Sequence, residues 1–276
     1  MYHIAITTDV ETFSPSVNGD IHIDIDAQII QPLKTILKIA DQFDIKITMF
    51  LEIFQFFRFI EIQKYSNEMH YLVSLIDQAL KNGHEIQLHT HSEWITAKYS
   101  HGKWFRTFMG PDSVHGIFDL FCTELRFKLD ELNSLFPLAK INCFRAGAYQ
   151  IQPEEILFNE LQKHGIKLDS SRHRNELKAL EKMSGLISAP ILGKFPTSNE
   201  RWDMNLNDKS MFYFFDKRNS FDPNLHGRFN HFAVMTGHTK MPHDWDMLTR
   251  MFQMLRDDDL IESKLLSDFI KLCEDK

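Results

Sequence analysis

The chain has 276 residues, of which 43% are hydrophobic and 25% charged, and its formal net charge at pH 7 is −7. This composition is typical of a globular protein, and the length is sufficient to bury the core of one large α/β domain. The negative charge, without any run of lysine or arginine, disfavours nucleic acid and anionic membranes as partners.

Short apolar runs rich in β-branched residues alternate with segments of helical periodicity. The predicted strands are residues 2–8, 45–51, 85–89, 140–146, 166–171, 186–192 and 231–237. Apolar residues at helical spacing predict helices over residues 29–40, 72–80, 117–132 and 153–164, the last of them opened by Pro153 and followed by Gly165. The aromatic run FQFFRF at 54–59 is typical of core. Residues 193–230 have weak periodicity and predict long loops or an extra hairpin.

Repeated strand and helix units predict an α/β fold with a parallel sheet whose strands are buried on both faces. About seven strands fit either a barrel of β/α units or a doubly wound open sheet. The sequence has no internal repeat and no linker rich in proline, glycine and serine, so we expect one domain over residues 1–276.

The amino-terminal sequence MYHIAITTDVE lacks the basic segment and the apolar stretch of a signal peptide. No apolar run approaches the roughly 18 residues of a membrane-spanning helix. The three cysteines lie far apart without a CxxC pair, which favours reduced thiols. We therefore expect a cytoplasmic protein without stable membrane insertion, and the sequence does not indicate its oligomeric state.

Polar residues follow the apolar positions of five predicted strands. They are Asp9 and Glu11 after the first, His89, His91 and Glu93 after the third, Arg145 and Asp169 at the ends of the fourth and fifth, and His238 after the last. Since the carboxyl ends of parallel strands meet at one rim, we expect these side chains to gather. Singly, each has a structural alternative, such as a turn or cap for Asp9 and a solvated loop for Glu11.

The stretch LHTHSEW at 88–94 is a candidate metal site. If the strand continues through residue 93, His89 and His91 bind the ion together; if the chain turns, His89 pairs with Glu93. Trp94 beside this stretch suits stacking on a sugar, and burial as a loop anchor is the alternative.

In order, these segments resemble the motifs of the NodB-type polysaccharide deacetylases, carbohydrate esterase family 4. The segments are TTDVE (7–11), GHEIQLHTHSEW (83–94), FRAGAY (144–149), LDSS (168–171) and VMTGH (234–238). Val10 stands where the family usually has a metal-binding aspartate, and Glu93 where it has a second histidine. With these two differences, the pattern resembles a divergent branch of the family that is associated with surface-polysaccharide biosynthesis. The resemblance implies a distorted (β/α) barrel of about seven parallel strands.

The resemblance also implies the activity, which is metal-dependent removal of an N-acetyl or O-acetyl group from a sugar. The expected partner is an acetylated sugar or carrier-linked saccharide, a precursor of a surface polysaccharide. Asp9 is the expected base and His238 the acid, while Arg145 orients Asp9 and Asp169 orients His238. A divalent metal, zinc before others, is assigned to His89 and Glu93, with Glu11 as the third ligand or His91 as the alternative to it. Tyr149, Trp94 and His91 are assigned to the substrate, and backbone N–H groups near Ala148 and Tyr149 to the oxyanion.

Other functions fit the same pattern. A metal amidohydrolase of this barrel type could act on a non-sugar amide or a cyclic ureide, since fold does not fix substrate. Alternatively, an inactive member that only binds carbohydrate would explain the loss of the usual aspartate and histidine ligands. A scaffolding protein, in contrast, predicts that Asp9, His89, Arg145 and His238 do not cluster.

Overall fold

The computed structural model describes residues 1–106, 116–149, 151, 154–174, 180–194, 202–203, 206 and 231–274. The strands are β1 (Tyr2–Val10), β2 (Ile47–Glu52), β3 (Glu85–Thr90), β4 (Lys98–Ser100), β5 (Lys103–Phe105), β6 (Cys143–Ala146), β7 (Leu168–Asp169), β8 (His173–Arg174), β9 (Glu181–Met183), β10 (Leu186–Ser188), β11 (Ile191–Lys194), β12 (Trp202–Asp203), β13 (His231–Met235) and β14 (Ile261–Lys264). The helices are α1 (Gln31–Gln42), α2 (Ile53–Ile60), α3 (Ser66–Lys81), α4 (Ser92–Ile95), α5 (Phe118–Leu135), α6 (Glu154–Lys163), α7 (Trp245–Asp257) and α8 (Asp268–Glu274). A π-helical turn (Asp26–Ile30) precedes α1, and single 3₁₀ turns lie at Gln63–Tyr65 and Gly147–Tyr149.

Most strands belong to one curled sheet in the order β12-β11-β13-β1-β2-β3-β6-β7-β10-β9. Neighbours from β11 to β10 pair in parallel, whereas the outer strands β12 and β9 pair antiparallel. Only Ala189 and Pro190 separate β10 from β11 in the chain. One short segment therefore occupies both ends of the parallel run and curls the sheet into the distorted (β/α) barrel that was predicted.

The predicted strands and helices are confirmed with changes at their ends. The predicted strand at 186–192 is divided into β10 and β11 around Pro190, which has no N–H for a ladder hydrogen bond. β12 pairs antiparallel with β11, so the segment after residue 193 begins with the expected hairpin. Pro153 and residues 207–230 lie outside the described residues, and β14, α7 and α8 were not predicted from the sequence.

β1 is buried on both faces, and its polar residues His3, Thr7, Thr8 and Asp9 are buried as its apolar residues are. All nine of its residues are buried, as a strand at the centre of a parallel sheet requires. The aromatic run at 54–59 forms α2, and Phe54, Phe56, Phe57 and Phe59 are buried, so this run is core as predicted. Helix α2 begins at Ile53 and is capped by Glu52, whose carboxylate accepts the Gln55 N–H.

Among the helices formed by the described residues, none has both the length and the apolar character needed to cross a bilayer. The described parts of the chain belong to one large sheet with its covering helices and one small hairpin of β4 and β5. The single-domain organisation stays a prediction.

Candidate active site

The carboxyl ends of β13, β1, β2, β3 and β6 bring polar side chains to one rim of the sheet. The pairing register aligns Glu52 with His89 and His89 with Arg145 across adjacent strands. Just beyond β13, His238 forms an isolated β-bridge with Asp9. The four residues Asp9, His89, Arg145 and His238 therefore cluster, as the strand-end argument predicts and as a purely structural role does not.

Arg145 is fully buried and its guanidinium fixes the carboxylate of Asp9. Arg145 Nη1 donates to Asp9 Oδ1 at 2.6 Å and to Thr236 Oγ1 at 3.1 Å. Nη2 donates to Thr7 Oγ1 at 2.9 Å and to Ser170 Oγ at 3.1 Å. These partners lie on β1 and just beyond β13 and β7, so the guanidinium is fixed in one orientation and holds Asp9.

Asp9 is ionised at neutral pH although its side chain is buried. Burial acts to raise the pKa of Asp9, but the charge of Arg145, together with His89 and His238, outweighs it and lowers the pKa. The second carboxylate oxygen, Oδ2, lies 3.4 Å from His238 Nε2. Burial lowers the pKa of His238 more than the neighbouring Asp9 and Glu11 raise it, so this imidazole is neutral at pH 7.

His89 presents an unused ring nitrogen to the site. Its Nδ1 lies 2.8 Å from the carbonyl oxygen of Arg145, which can only accept, so Nδ1 carries the proton. Nε2 is then a lone-pair donor, and it is buried without a hydrogen bond although Glu11 Oε2 lies 3.5 Å away. A carbonyl that fixes the tautomer behind a histidine is the usual arrangement for a metal ligand.

The donor atoms that meet beside His89 come from Glu11 and His91. Atoms of Glu11, His89 and His91 lie within 4.8 Å of one another, and a second such group is formed by Asp9, Glu11 and His238. His91 Nε2 is 2.8 Å from Glu11 Oε2. Nitrogen and carboxylate donors of this kind fit a first-row divalent ion, so these residues could hold a metal.

Glu93, assigned to the metal on sequence grounds, belongs to neither group of described residues. Its Oε1 lies 3.4 Å from Nδ1 of His91, on the far side of that ring from Glu11. The expected turn is present but begins one residue later than the assignment needs, because β3 continues through Thr90 and α4 begins at Ser92. His91 stays extended, with φ −110° and ψ 119°, and its ring lies beside that of His89. The structure thus favours His91 over Glu93 as a ligand.

A cavity of about 340 Å³ opens over these groups and includes Phe13, Ala148 and Tyr149 in its wall. Ala148 and Tyr149 have φ of 48° and 59°, an uncommon left-handed conformation for residues other than glycine. The preceding Gly147 is required by close approach, because a Cβ there would clash with the ring of His91. Tyr149 therefore lies in the wall of the cavity, and its assignment to the substrate stays a prediction.

The described hydrogen bonds link the Asp169 side chain to the end of β6 through Ser171, and none of them joins it to His238. Its Oδ1 accepts from the hydroxyl of Ser171 at 2.6 Å and from the Ser171 N–H at 3.1 Å. Ser171 Oγ in turn accepts the N–H of Ala146 at 2.8 Å. Burial raises the pKa of Asp169 to about 6. The predicted action of Asp169 on the His238 tautomer has no support from these contacts.

Trp94 is a core residue, which corrects its assignment to the substrate. Its side chain is fully buried, with ring centroids 5.3 Å from those of both Phe59 and Trp104. A ring enclosed in this way cannot stack on a sugar, so the alternative role as a loop anchor applies.

We expect Trp94→Ala to lower the free energy of unfolding by about 3 to 5 kcal/mol, because it leaves a large cavity among aromatic rings. Urea unfolding measures this loss, and Phe127→Ala, at a position that is 51% exposed, is the control with little expected change. A Trp94→Ala protein of full stability that had lost affinity for sugar would restore the stacking role.

Two residues of the site were not predicted, Lys240 and Glu52. Lys240 Nζ lies 2.9 Å from Glu11 Oε1. Lys240 follows His238 by two residues and lies in a turn, so strand periodicity does not predict it. Glu52 Oε1 accepts the N–H of His91 at 2.9 Å. Burial raises the pKa of Glu52 to about 8.

No family model matches the chain, and no curated protein matches it either. Solved structures match nearly all of it. A putative polysaccharide deacetylase from Mycobacterium smegmatis is 15% identical with a TM-score of 0.61, over 99% of this chain and 90% of that one. A probable polysaccharide deacetylase from Pseudomonas aeruginosa PAO1 is 11% identical with a TM-score of 0.60, over 98% and 90%. The fold is that of the polysaccharide deacetylases.

A protein named for a different activity is similar to this chain as well. Puue allantoinase is 12% identical to this chain with a TM-score of 0.59, over 98% of this chain and 89% of that one. Fold alone does not fix the substrate, so function has to be argued from the site.

Proposed function

We propose that this protein is a metal-dependent hydrolase that removes an acetyl group from an N-acetylated sugar. The observation that carries the proposal is the placement of an ionised, Arg145-bound Asp9 beside the unused Nε2 of His89, with His238 on the other side of the same carboxylate. A base, a metal ligand and a proton carrier thus face one cavity. Metal-assisted hydrolysis of an amide at neutral pH uses these three groups together.

The metal would be held by His89, His91 and Glu11. The fit rests on the buried Nε2 of His89, which has a lone pair and no hydrogen bond, and on the nitrogen and oxygen donors grouped with it. Glu93 would accept the Nδ1 proton of His91 and so fix the tautomer of His91 from the side of the ring opposite Glu11. When bound, a divalent ion such as zinc would lower the pKa of water and polarise the acetyl carbonyl.

The proton moves through Asp9 and His238 in this proposal. Asp9, kept ionised by Arg145, accepts the proton of the attacking water. Because His238 is neutral at pH 7, the proton it later gives to the leaving amine has to reach it first. The 3.4 Å between Asp9 Oδ2 and His238 Nε2 offers that path. Tyr149 and the backbone of Ala148 form the wall on which the sugar and the developing oxyanion would lie.

The proposal also covers the carrier of the sugar, its location and the type of bond that is hydrolysed. We expect a carrier-linked saccharide in the cytoplasm, modified during assembly of a surface polysaccharide, with an amide as the first bond to test and an ester as the second. Hydrolysis of a non-sugar amide or a cyclic ureide is the second candidate, and the likeness to Puue allantoinase gives it the same support from fold.

The test is release of acetate from acetylated sugars by zinc-loaded protein. We expect turnover of oligomers of N-acetylglucosamine, loss of activity with a chelator, and recovery on adding zinc. His89→Ala should bind zinc weakly and lose activity, because it removes the ligand whose tautomer is fixed by Arg145. His164→Ala, which changes a histidine directly after α6 and outside the site, is the matched control.

The comparison of substrates separates the candidates. If the protein opened a cyclic ureide and released no acetate, the amidohydrolase would replace the deacetylase. Acetate release that survived both the chelator and His89→Ala would contradict the metal-dependent mechanism. Sugar binding without any turnover would favour the inactive carbohydrate-binding protein.

A further inference from the structure

The two oxygens of Glu11 point at different cationic or ligating groups. Oε2 lies 2.8 Å from His91 Nε2 and 3.5 Å from His89 Nε2, on the side where a metal would be held. Oε1 lies 2.9 Å from Lys240 Nζ. The side chain of Glu11 is 2% exposed and that of Lys240 15%, so water screens this ion pair little.

The two buried carboxylates Asp9 and Glu11 therefore each have a cation of their own. Asp9 is paired with Arg145 at 2.6 Å, and Glu11 with Lys240. A buried glutamate is costly without a counter-charge, and Lys240 supplies that charge when no divalent ion does.

We propose that Lys240 is a built-in counter-ion that competes with the divalent metal for Glu11 and so weakens metal binding. This inference rests on the proposed function, since it takes Glu11, His89 and His91 as the metal ligands. A metal that binds Oε2 must share one carboxylate with the ammonium on Oε1. The ammonium withdraws charge from the ligand and repels the ion directly, and both effects lower affinity.

The opposite effect also has a physical basis. Lys240 holds Glu11 in place, and a partner that orients a ligand can raise metal affinity. Coulomb repulsion between a unit charge and a divalent ion, a few ångströms apart in a partly buried site, is the larger of the two effects. Removal of the ammonium therefore distinguishes the two effects. The Kd of the metal falls if Lys240 competes with it for Glu11, and rises if Lys240 mainly positions Glu11.

The experiment measures the Kd of Zn²⁺ by competition with a chromophoric chelator at pH 7. We expect Lys240→Met and Lys240→Gln to bind Zn²⁺ at least about tenfold more tightly than the wild-type protein, because the repulsion is gone. Lys240→Arg keeps the charge and should change the Kd little. Lys128→Met is the matched control, since Lys128 is 17% exposed and pairs with Glu131 at 3.0 Å on the surface of α5.

A double variant links the effect to Glu11. In a Glu11→Gln background the further change Lys240→Met should give a smaller gain, because the shared carboxylate is absent. An unchanged or larger Kd in both Lys240→Met and Lys240→Gln, with folding verified by thermal unfolding, would overturn the inference. If no variant bound Zn²⁺, the metal centre itself would fail and the inference with it. Tighter binding without acetate release would uphold the inference and reject the deacetylase.

Discussion

Asp9→Asn is expected to lower the rate of acetate release by a factor of about 10² to 10⁴, the range that a positioned general base contributes. The amide keeps the size of the side chain but cannot accept the proton of the attacking water. Glu11, His89 and His91 are untouched, so the Zn²⁺ affinity should change much less than the rate. The measurement is the initial rate with a saturating acetylated sugar, beside the metal content of the same sample.

Asp77→Asn is the control for Asp9→Asn. Asp77 lies on α3 and pairs with Lys81 at 2.6 Å, in an ion pair at the surface. Its removal should leave the rate unchanged. If Asp9→Asn, folded and loaded with zinc, kept more than about a tenth of the wild-type rate, another group would have to be the base.

Arg145→Met should lower the free energy of unfolding by about 3 to 5 kcal/mol, the loss expected when one partner of a buried ion pair is removed. The guanidinium is fully buried, and its loss would leave Asp9 without its closest cation and three hydroxyl groups without their donor. The pKa of Asp9 should also rise, because burial would no longer be outweighed. Urea unfolding at pH 7 gives the stability.

Arg58→Met is the control for Arg145→Met. Arg58 is 33% exposed and lies 3.6 Å from Glu61, so its ion pair should contribute about 0 to 1 kcal/mol. Arg145→Lys keeps the charge but not the planar set of donors, and we expect an intermediate loss. A loss below about 1 kcal/mol for Arg145→Met would show that Asp9 finds another partner, contrary to the role given to Arg145.

The rule that polar residues gather at the carboxyl ends of parallel strands was sufficient to predict which main residues meet at the site. The apolar runs of β1, β3 and β6 are buried and unambiguous, so the polar residues at or beyond their ends could be located from sequence. Asp9, His89 and Arg145 follow from this argument, and His238 follows from the strand before it. The resemblance to the deacetylases ordered these residues, and the fold confirms the barrel that it implied.

The choice between His91 and Glu93 could not be made from sequence. It depends on whether β3 ends at residue 89 or 90, and the pairing of Thr90 with Ala146 of β6 decides this. That partner lies far along the chain, and local spacing is compatible with both outcomes. A difference of one residue in a strand end thus exchanges a histidine for a carboxylate at the candidate metal site.

Trp94 shows a second limit of sequence patterns. An aromatic residue next to polar site residues is compatible with a binding surface and with core. The outcome was set by the β4–β5 hairpin, which places Trp104 against Trp94 while Phe59 of α2 contacts it as well. Neither contact has a local signal, because both join segments that are separate in sequence.

The position of β1 in the middle of the sheet has a consequence for the order in which the molecule is made. The hydroxyl of Thr7 donates to the carbonyl of Met235 across 228 positions of the chain. During synthesis β1 leaves the ribosome long before β13. The edge of β1 that pairs with β13 therefore stays unpaired until β13 has been made. Pairing over such a distance slows folding and exposes that edge to other chains. We expect nascent chains to need protection until β13 emerges.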